Sequence, residues 1–316
     1  MKPPPASAEA NHSAASTLRL FADILRLPWM PPRPLMRAVR ARRQGKLMLE
    51  GLCGGHQTQI PRTLLKAWTG QGIVWPSLQA KEGTMQGTNS RNLAADPGRL
   101  RDLARDIADK KLSPIALVQR YLDRIAVAEQ HVSGWCQIDA ERALATAQER
   151  ECEAARGNIR GALHGVPVAI KDIIDVEGLP TRANSSSRAA APPADSDAEI
   201  VLSLKTAGAI VLGKVHTTEF AFFDPSPARN PHDIRHTPGG SSSGAAASLA
   251  AGMVPLAVGT QTVASLNRPA AYCGISAFKP STRSLSTYGI TPLAPSYDTP
   301  GFYGWSVADA VYAYQA

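Results

Sequence analysis

Between residues 165 and 261, short apolar segments rich in β-branched residues alternate with segments typical of helices, and this alternation limits the fold more than any other feature. "GVPVAIKD" (165–172), "AIVLGK" (209–214) and "MVPLAVG" (253–259) read as buried strands. "DAEIVLSLKTAG" (197–208) and "SGAAASLAAG" (243–252) read as helices. Strands that alternate with helices are joined by crossovers, which favour parallel pairing. We therefore predict an α/β fold with a mixed, mainly parallel central sheet covered by helices.

Two further helices are predicted before this region. Ser113 and Pro114 are the residue types preferred at an N-cap and at the first helical position, and apolar residues follow at spacings of three and four. Asp139 and Gly157 are the types preferred at the start and at the end of a helix. The last twelve residues, "WSVADAVYAYQA", read as the first turns of a helix.

The positive charge of the chain is concentrated in its first 95 residues. They contain 13 lysines and arginines against 4 acidic residues, whereas the remainder contains 21 and 22 and is nearly neutral. "LPWMPPRPLMRAVRARRQGK" (27–46) is broken by proline and has no regular period. We predict a basic, irregular N-terminal extension over residues 1–95, with an organelle transit segment as the alternative, and a folded domain over residues 96–316. A neutral domain gives no support for nucleic-acid binding.

Cysteine and histidine positions argue against a disulfide framework and against a metal site. The four cysteines are scattered without a C-x-x-C pair, which fits a reducing compartment and a cytoplasmic protein. His216, His232 and His236 lack metal-ligand spacing. No apolar run approaches the roughly 20 residues of a membrane helix, so we expect no membrane segment.

A group of serines within glycine-rich sequence suggests nucleophilic chemistry. Ser241 is the first of three serines in "GGSSSG", and Ser265 follows "GTQTVA". A serine needs a base to remove its proton, and no G-x-S-x-G elbow is present. A lysine buried enough to be neutral is the other option. Lys171, at the end of an apolar strand, fits that description.

Nine motifs that occur in order between Arg99 and Ala316 resemble the amidase signature family. They are Gly165–Asp172, Thr218–Ala221, Arg229–His232, Pro238–Gly244, Gly259–Ser265, Arg268–Ala270, Cys273–Gly274, Phe278–Pro280 and Ser296–Gly301. The resemblance implies that residues 96–316 are the N-terminal part of an amidase-signature catalytic domain. It also implies a sheet that is incomplete at the C-terminal end, since the family domain continues past Ala316.

The resemblance further implies a Ser–cisSer–Lys triad and an amidase that needs neither cofactor nor metal. Ser265 would be the nucleophile, Lys171 the base, and Ser241 the bridging residue that follows a cis peptide bond. The following residues would form the oxyanion hole through their backbone N–H groups: Thr262, Val263, Ala264 and Ser265. Four more would support the site: Gly240, Ser242, Gln261 and Arg268.

The sequence departs from the family pattern at two places beside the nucleophile. Val263 and Ala264 stand where members have one or two glycines, and Gln261 stands where many have aspartate. Hydrolysis of a small-molecule carboxamide to carboxylate and ammonia is the predicted function. The alternatives are the glutaminase subunit of a tRNA-dependent amidotransferase and a truncated, inactive amidase-like protein. The sequence leaves a homo-oligomer open.

Two other motifs are weaker. Ser276 and Lys279 satisfy the S-x-x-K pattern of penicillin-binding proteins, but glycine and proline bound the segment, and a short strand with a structural lysine is expected instead. Residues 208–214 nearly match a phosphate-binding loop, but Val215 replaces the Ser or Thr that would contact magnesium.

Overall fold

The computed structural model describes residues 92–316. The extension predicted for residues 1–95 therefore lies outside the described residues, except for its last four. Within those four, the Leu93 N–H donates to the carbonyl of Pro231 at 2.7 Å, and the Ala95 N–H donates to that of Ala250 at 3.0 Å. These residues hydrogen-bond to the folded part of the chain.

The described part of the chain contains seven α-helices, two single 3₁₀ turns and six strands. The helices are α1 Leu100–Ala108, α2 Pro114–Val132, α3 Ala140–Ala155, α4 Glu199–Thr206, α5 Ser243–Ala250, α6 Asn267–Cys273 and α7 Val307–Gln315. The 3₁₀ turns are Ser186–Arg188 and Glu219–Ala221. The strands are β1 Trp135–Ile138, β2 Pro167–Lys171, β3 Ile210–Val215, β4 Leu256–Gln261, β5 Ser276–Phe278 and β6 Thr299–Gly304.

All six strands form one mixed sheet in the order β1-β3-β2-β4-β6-β5. The pairs β3-β2 and β2-β4 are parallel, whereas β1-β3, β4-β6 and β6-β5 are antiparallel. The predicted mixed α/β sheet is confirmed. Its parallel part is confined to β3, β2 and β4, the three strands that the alternating pattern identifies, because the other three strands are added without helical crossovers to a parallel neighbour.

The helix starts read from the sequence are confirmed at the first two predicted helices. The Ser113 hydroxyl accepts from the Ala116 N–H at 3.2 Å and caps α2. The Asp139 carboxylate accepts from the Arg142 N–H at 3.3 Å and caps α3. Each cap satisfies a backbone donor that would otherwise lack a partner in the first helical turn.

Helix α5 lies in the centre of the molecule, and every one of its residues is buried. Its side chains are small, which allows close approach to the sheet. A Cβ atom added to Gly244 would lie 2.2 Å from the carbonyl oxygen of Gly134 and 2.4 Å from the His216 nitrogen. Only glycine fits between these backbones. The packing therefore fixes the start of α5, with the serines that precede it, against the ends of the strands.

Strands β2 and β4 are parallel neighbours, with Ile170 opposite Val258. Their carboxyl ends, at Lys171 and Gln261, therefore lie at the same edge of the sheet, where open α/β sheets place their sites. In residues 92–316 we find no helix with the length and hydropathy needed to cross a bilayer.

Candidate active site

Lys171 and Ser241 are in direct contact. The Nζ atom of Lys171 lies 2.7 Å from the Oγ atom of Ser241 and 2.9 Å from the Oγ1 atom of Thr260. Lys171 has no exposed surface, and Ser241 is 1% exposed. Strand β2 supplies the lysine, β4 supplies the threonine, and the loop before α5 supplies the serine. The structure thus brings two of the three predicted triad residues into hydrogen-bond contact.

Burial changes the ionisation of Lys171. Removal from water lowers the pKa of Lys171 to about 7, because a charged ammonium is poorly solvated inside the protein, and the negative charge of Asp298 opposes this shift. About half of the lysine side chains are then uncharged near neutral pH. A neutral amine can accept a proton, which an ammonium group cannot.

The peptide bond between Gly240 and Ser241 is cis, as the resemblance implies. Two contacts hold the backbone on either side of it. The Arg268 Nε atom donates to the Gly240 carbonyl at 2.8 Å, and the Thr218 N–H donates to the Ser241 carbonyl at 3.0 Å. Arg268 and Gly240 are therefore in contact at the position where both were expected to support the site.

Ser242 connects the serine loop to β4 and to Ser265. Its hydroxyl donates to the Thr260 carbonyl at 3.2 Å and accepts from the Thr260 N–H at 3.3 Å. Its own N–H donates to the Ser265 carbonyl at 3.3 Å. Gly259 allows this approach, since a Cβ atom there would lie 2.7 Å from the Ser242 hydroxyl. Ser265 is therefore held beside the residue that follows Ser241.

Residues 262–265, which we call the oxyanion loop, follow directly after β4. We find no acceptor among residues 92–316 for any of its four backbone N–H groups. Val263 and Ala264 both have negative φ angles, so the absence of glycine there introduces no left-handed strain. Ser265 is 8% exposed and Val263 is 64% exposed, so the loop runs from the interior to the surface.

Gln261 fixes the far end of this loop. Its Oε1 atom accepts from the Leu266 N–H at 2.9 Å and from the Asn267 N–H at 3.0 Å. These two donors belong to the first turn of α6, which has no preceding turn to bond to. A glutamine oxygen thus serves where an aspartate oxygen could serve equally, which explains the substitution.

Three residues with contacts in the site were not singled out from the sequence. Thr260 bonds to Lys171, as described above. The Tyr303 hydroxyl donates to the carbonyls of Ser265 at 3.2 Å and Leu266 at 3.0 Å. Asp298 accepts from the Thr262 hydroxyl. Thr260 and Asp298 lie inside the quoted motifs, and only the sheet pairing shows which way they face.

The weaker motifs do not form sites. Ser276 lies on strand β5, so its side chain and that of Lys279, three positions on, cannot share a face as they would on a helix. Lys214 is buried, 2.9 Å from the Asp172 carboxylate and 3.0 Å from the Thr181 hydroxyl, and lies within β3. A strand of this kind cannot wrap around a phosphate group.

The histidines stand apart from the serines and lysine. The His232 ring contacts the Cys273 carbonyl at 2.9 Å, the His236 ring is exposed, and burial lowers the pKa of His216. Within residues 92–316 there is no group of three His, Cys, Asp or Glu side chains that could hold a metal ion.

Comparison with known proteins agrees with this geometry. A family model described as Amidase matches residues 116–316. A subunit of the glutamyl-tRNA(Gln) amidotransferase from Anaeromyxobacter sp. (strain K) is 40% identical over 218 residues, which are 67% of this chain and 44% of that protein. The corresponding subunit from Acidothermus cellulolyticus is 37% identical over 222 residues, 68% of this chain and 44% of that protein.

Solved structures resemble the chain to a similar extent. The peptide amidase from Stenotrophomonas maltophilia is 36% identical with a TM-score of 0.63, covering 67% of this chain and 46% of the other. An amidase family protein from Bacillus anthracis str. Ames is 34% identical with a TM-score of 0.65, covering 73% and 50%. The chain spans about half the length of these relatives. Family model, sequence identity and fold all agree that the chain belongs to the amidase signature family.

Proposed function

We propose that this chain carries the acyl-transfer site of an amidase, which converts a small-molecule carboxamide and water to a carboxylate and ammonia. The observation that carries the proposal is the 2.7 Å contact between Ser241 and a fully buried Lys171 whose pKa is about 7. A neutral amine bonded to a serine hydroxyl is a base connected to a proton relay.

In the first half-reaction, Lys171 accepts the proton of Ser241, and Ser241 accepts the proton of Ser265. The Ser265 oxygen then bonds to the substrate carbonyl carbon, and the carbon–nitrogen bond breaks. The proton returns along the same path to the leaving nitrogen, which departs as ammonia. The contact of the Ser242 N–H with the Ser265 carbonyl supports this path, because it fixes Ser265 next to the relay.

The oxyanion loop supplies the donors that this reaction needs. Negative charge develops on the carbonyl oxygen when Ser265 attacks, and backbone N–H groups aimed at that oxygen stabilise it. Donors held in advance are most effective, and removal of one typically reduces the rate about 10²–10³-fold. The four N–H groups of residues 262–265, without acceptors in the described part of the chain, are free for this role.

In the second half-reaction, water attacks the acyl group on Ser265. Lys171 and Ser241 again remove a proton, this time from the water. The carboxylate leaves, and Ser265 regains its hydrogen through the same relay. Every proton released in one step is used in another, so the site returns to its starting state after each turnover.

A fluorophosphonate probe tests this function directly. It forms a covalent bond with an activated serine oxygen and releases fluoride. We expect labelling of the wild type, none of Ser265→Ala, and normal labelling of the control Ser281→Ala, an exposed serine. Folded wild-type protein that does not react would contradict the proposal and support the inactive amidase-like alternative.

The second candidate is the glutaminase subunit of a tRNA-dependent amidotransferase. The 37–40% identity to the glutamyl-tRNA(Gln) amidotransferase subunits described above favours it. A chain with this function would release ammonia from glutamine and pass it to another protein. Ammonia release that requires both glutamine and a co-purifying partner would establish this function, whereas hydrolysis of simple amides by the chain alone supports the first.

We further propose that the protein works in the reducing environment of the cytoplasm. Cys136, Cys152 and Cys273 are free thiols, which is typical of that compartment. Fractionation of the producing cell, followed by detection of the chain, tests this proposal. Recovery in an oxidising compartment would contradict it.

A further inference from the structure

We infer that Asp298 is a positioning residue that holds the oxyanion loop in place through the Thr262 hydroxyl. The inference deepens the proposed function and rests on it, because it concerns the donors assigned above to the oxyanion. It starts from a contact between side chains that are 36 positions apart in the chain.

Asp298 uses both of its carboxylate oxygens. Oδ1 accepts from the Thr262 hydroxyl, whereas Oδ2 accepts from the Leu293 N–H at 2.8 Å and from the Ala294 N–H at 2.9 Å. The Asp298 N–H also donates to the Ala294 carbonyl at 2.9 Å. The turn 293–298 therefore fixes the carboxylate independently of Thr262. A fixed charged acceptor holds its hydroxyl donor more strongly than a mobile neutral one would.

The sheet places these two residues opposite each other. Strands β4 and β6 are antiparallel, and Gln261 pairs with Thr299 in the last register position of the ladder. Thr262 and Asp298 are the next residues on each strand, just past the end of the ladder. The side-chain contact thus extends the pairing by one step after backbone pairing stops, and it does so at the first residue of the oxyanion loop.

This anchor complements the one at the other end of the loop. Gln261 binds the N–H groups of Leu266 and Asn267, and Tyr303 binds the Ser265 carbonyl. Between these anchors, the N–H groups have no acceptor within residues 92–316 and do not hold the loop themselves. The Thr262 hydroxyl is therefore what fixes the start of the loop.

The charge of Asp298 also reaches the base. It raises the pKa of Lys171, against the larger opposite effect of burial. The groups in contact with the lysine amine, Ser241 and Thr260, are uncharged hydroxyls. Asp172, the next residue along the chain, is paired with Lys214. Removal of the Asp298 charge is therefore expected to lower the pKa of Lys171, which a merely structural role of Asp298 would not do.

Two variants separate the parts of the inference. Thr262→Val removes the hydroxyl donor and keeps the carboxylate and its turn. Asp298→Asn removes the charge and keeps the size. Asp233→Asn is the matched control, since Asp233 pairs with Arg235 and contacts neither the loop nor Lys171. All are made in the full chain.

The first measurement is the ¹⁵N order parameter of the Val263 and Ala264 amides, which needs no activity. We expect values of about 0.85 in the wild type and in Asp233→Asn, and values below about 0.6 in Thr262→Val and Asp298→Asn. Values that stay near the wild-type level in Thr262→Val would overturn the inference, and this variant decides the point even where Asp298→Asn fails to fold.

The second measurement is the rate of fluorophosphonate labelling against pH. We expect Thr262→Val and Asp298→Asn each to lose about 10-fold or more at pH 8, with the midpoint of the acid limb moved to lower pH in Asp298→Asn alone. Wild-type rates in both variants would overturn the inference. A wild type that does not label, together with a mobile loop in the two variants, would reject the proposed function and uphold the role of Asp298.

Discussion

The Nζ atom of Lys171 lies 2.7 Å from the Oγ atom of Ser241, although 70 positions separate the two residues in the chain. The contact forms because β2 ends at the lysine and α5 begins just after the serines, over the same edge of the sheet. The lysine thereby loses its contact with water and gains a hydroxyl partner. The predictions below follow from this pair and from the loop beside it.

Replacement of Lys171 by methionine should remove the base and keep the fold. Methionine fills a similar apolar volume but cannot accept a proton, so we expect a loss of about 10²–10⁴-fold in the labelling rate of Ser265. Lys111→Met, at a lysine whose side chain is 67% exposed, is the matched control and should label normally. A near-normal rate in Lys171→Met would show that another group removes the serine proton.

The labelling rate of the wild type should rise with pH. Lys171 acts as a base only in its neutral form, and its pKa is about 7. Below that pH we expect the rate to increase about 10-fold for each pH unit, and above it we expect a plateau. Stopped reactions between about pH 5.5 and pH 9 measure this profile. A rate that falls as pH rises through this range would contradict a neutral lysine base.

Lys171 should also make the stability of the protein depend on pH. Its pKa is lowered from 10.5 to about 7 on folding, so between these values the unfolded chain binds one more proton than the folded chain. The free energy of unfolding therefore rises with pH, by up to about 1.4 kcal/mol per unit from this group.

Lys171→Met should lack this contribution and should be more stable than the wild type at pH 7. Urea denaturation at several pH values compares the two slopes. Equal slopes for the wild type and Lys171→Met would show that the lysine keeps its proton when the chain folds.

Gln261→Leu should destabilise the protein, whereas Gln261→Glu should not to the same degree. Leucine leaves the buried N–H groups of Leu266 and Asn267 without an acceptor, at a cost of about 1–3 kcal/mol. Glutamate keeps an oxygen in reach of both donors, and its negative charge is favourable at a helix start. Chemical denaturation gives both values, and an equal loss in the two variants would contradict the capping role.

Local signals in the sequence were sufficient for the elements that use local contacts. Ser113 and Asp139 cap their helices through bonds three residues long, and a pattern of neighbours along the chain is enough to identify them. Strand β2, fully buried, is likewise visible as an apolar run. The third predicted strand begins at Leu256 rather than Met253, because Pro255 cannot donate to the ladder.

The strands at the sides of the sheet could not be read in this way. β6 has the sequence "TPGFYG", whose proline and two glycines suggest a loop, and its pairing with β4 is what makes it a strand. The role of Asp298 escapes a reading of the sequence for the same reason. Its partner Thr262 is distant in the chain, and only the register of β4 and β6 shows that the two meet.

Helix α5 has a consequence for how this protein can vary. A single methyl group on Gly244 would collide with the backbone of two neighbouring segments, and the start of the same helix aligns Ser241 with Lys171. Sequence drift in this region would therefore disturb reactivity and folding together. New substrate preferences have to arise in the surface loops, where side chains can change size without displacing the helix.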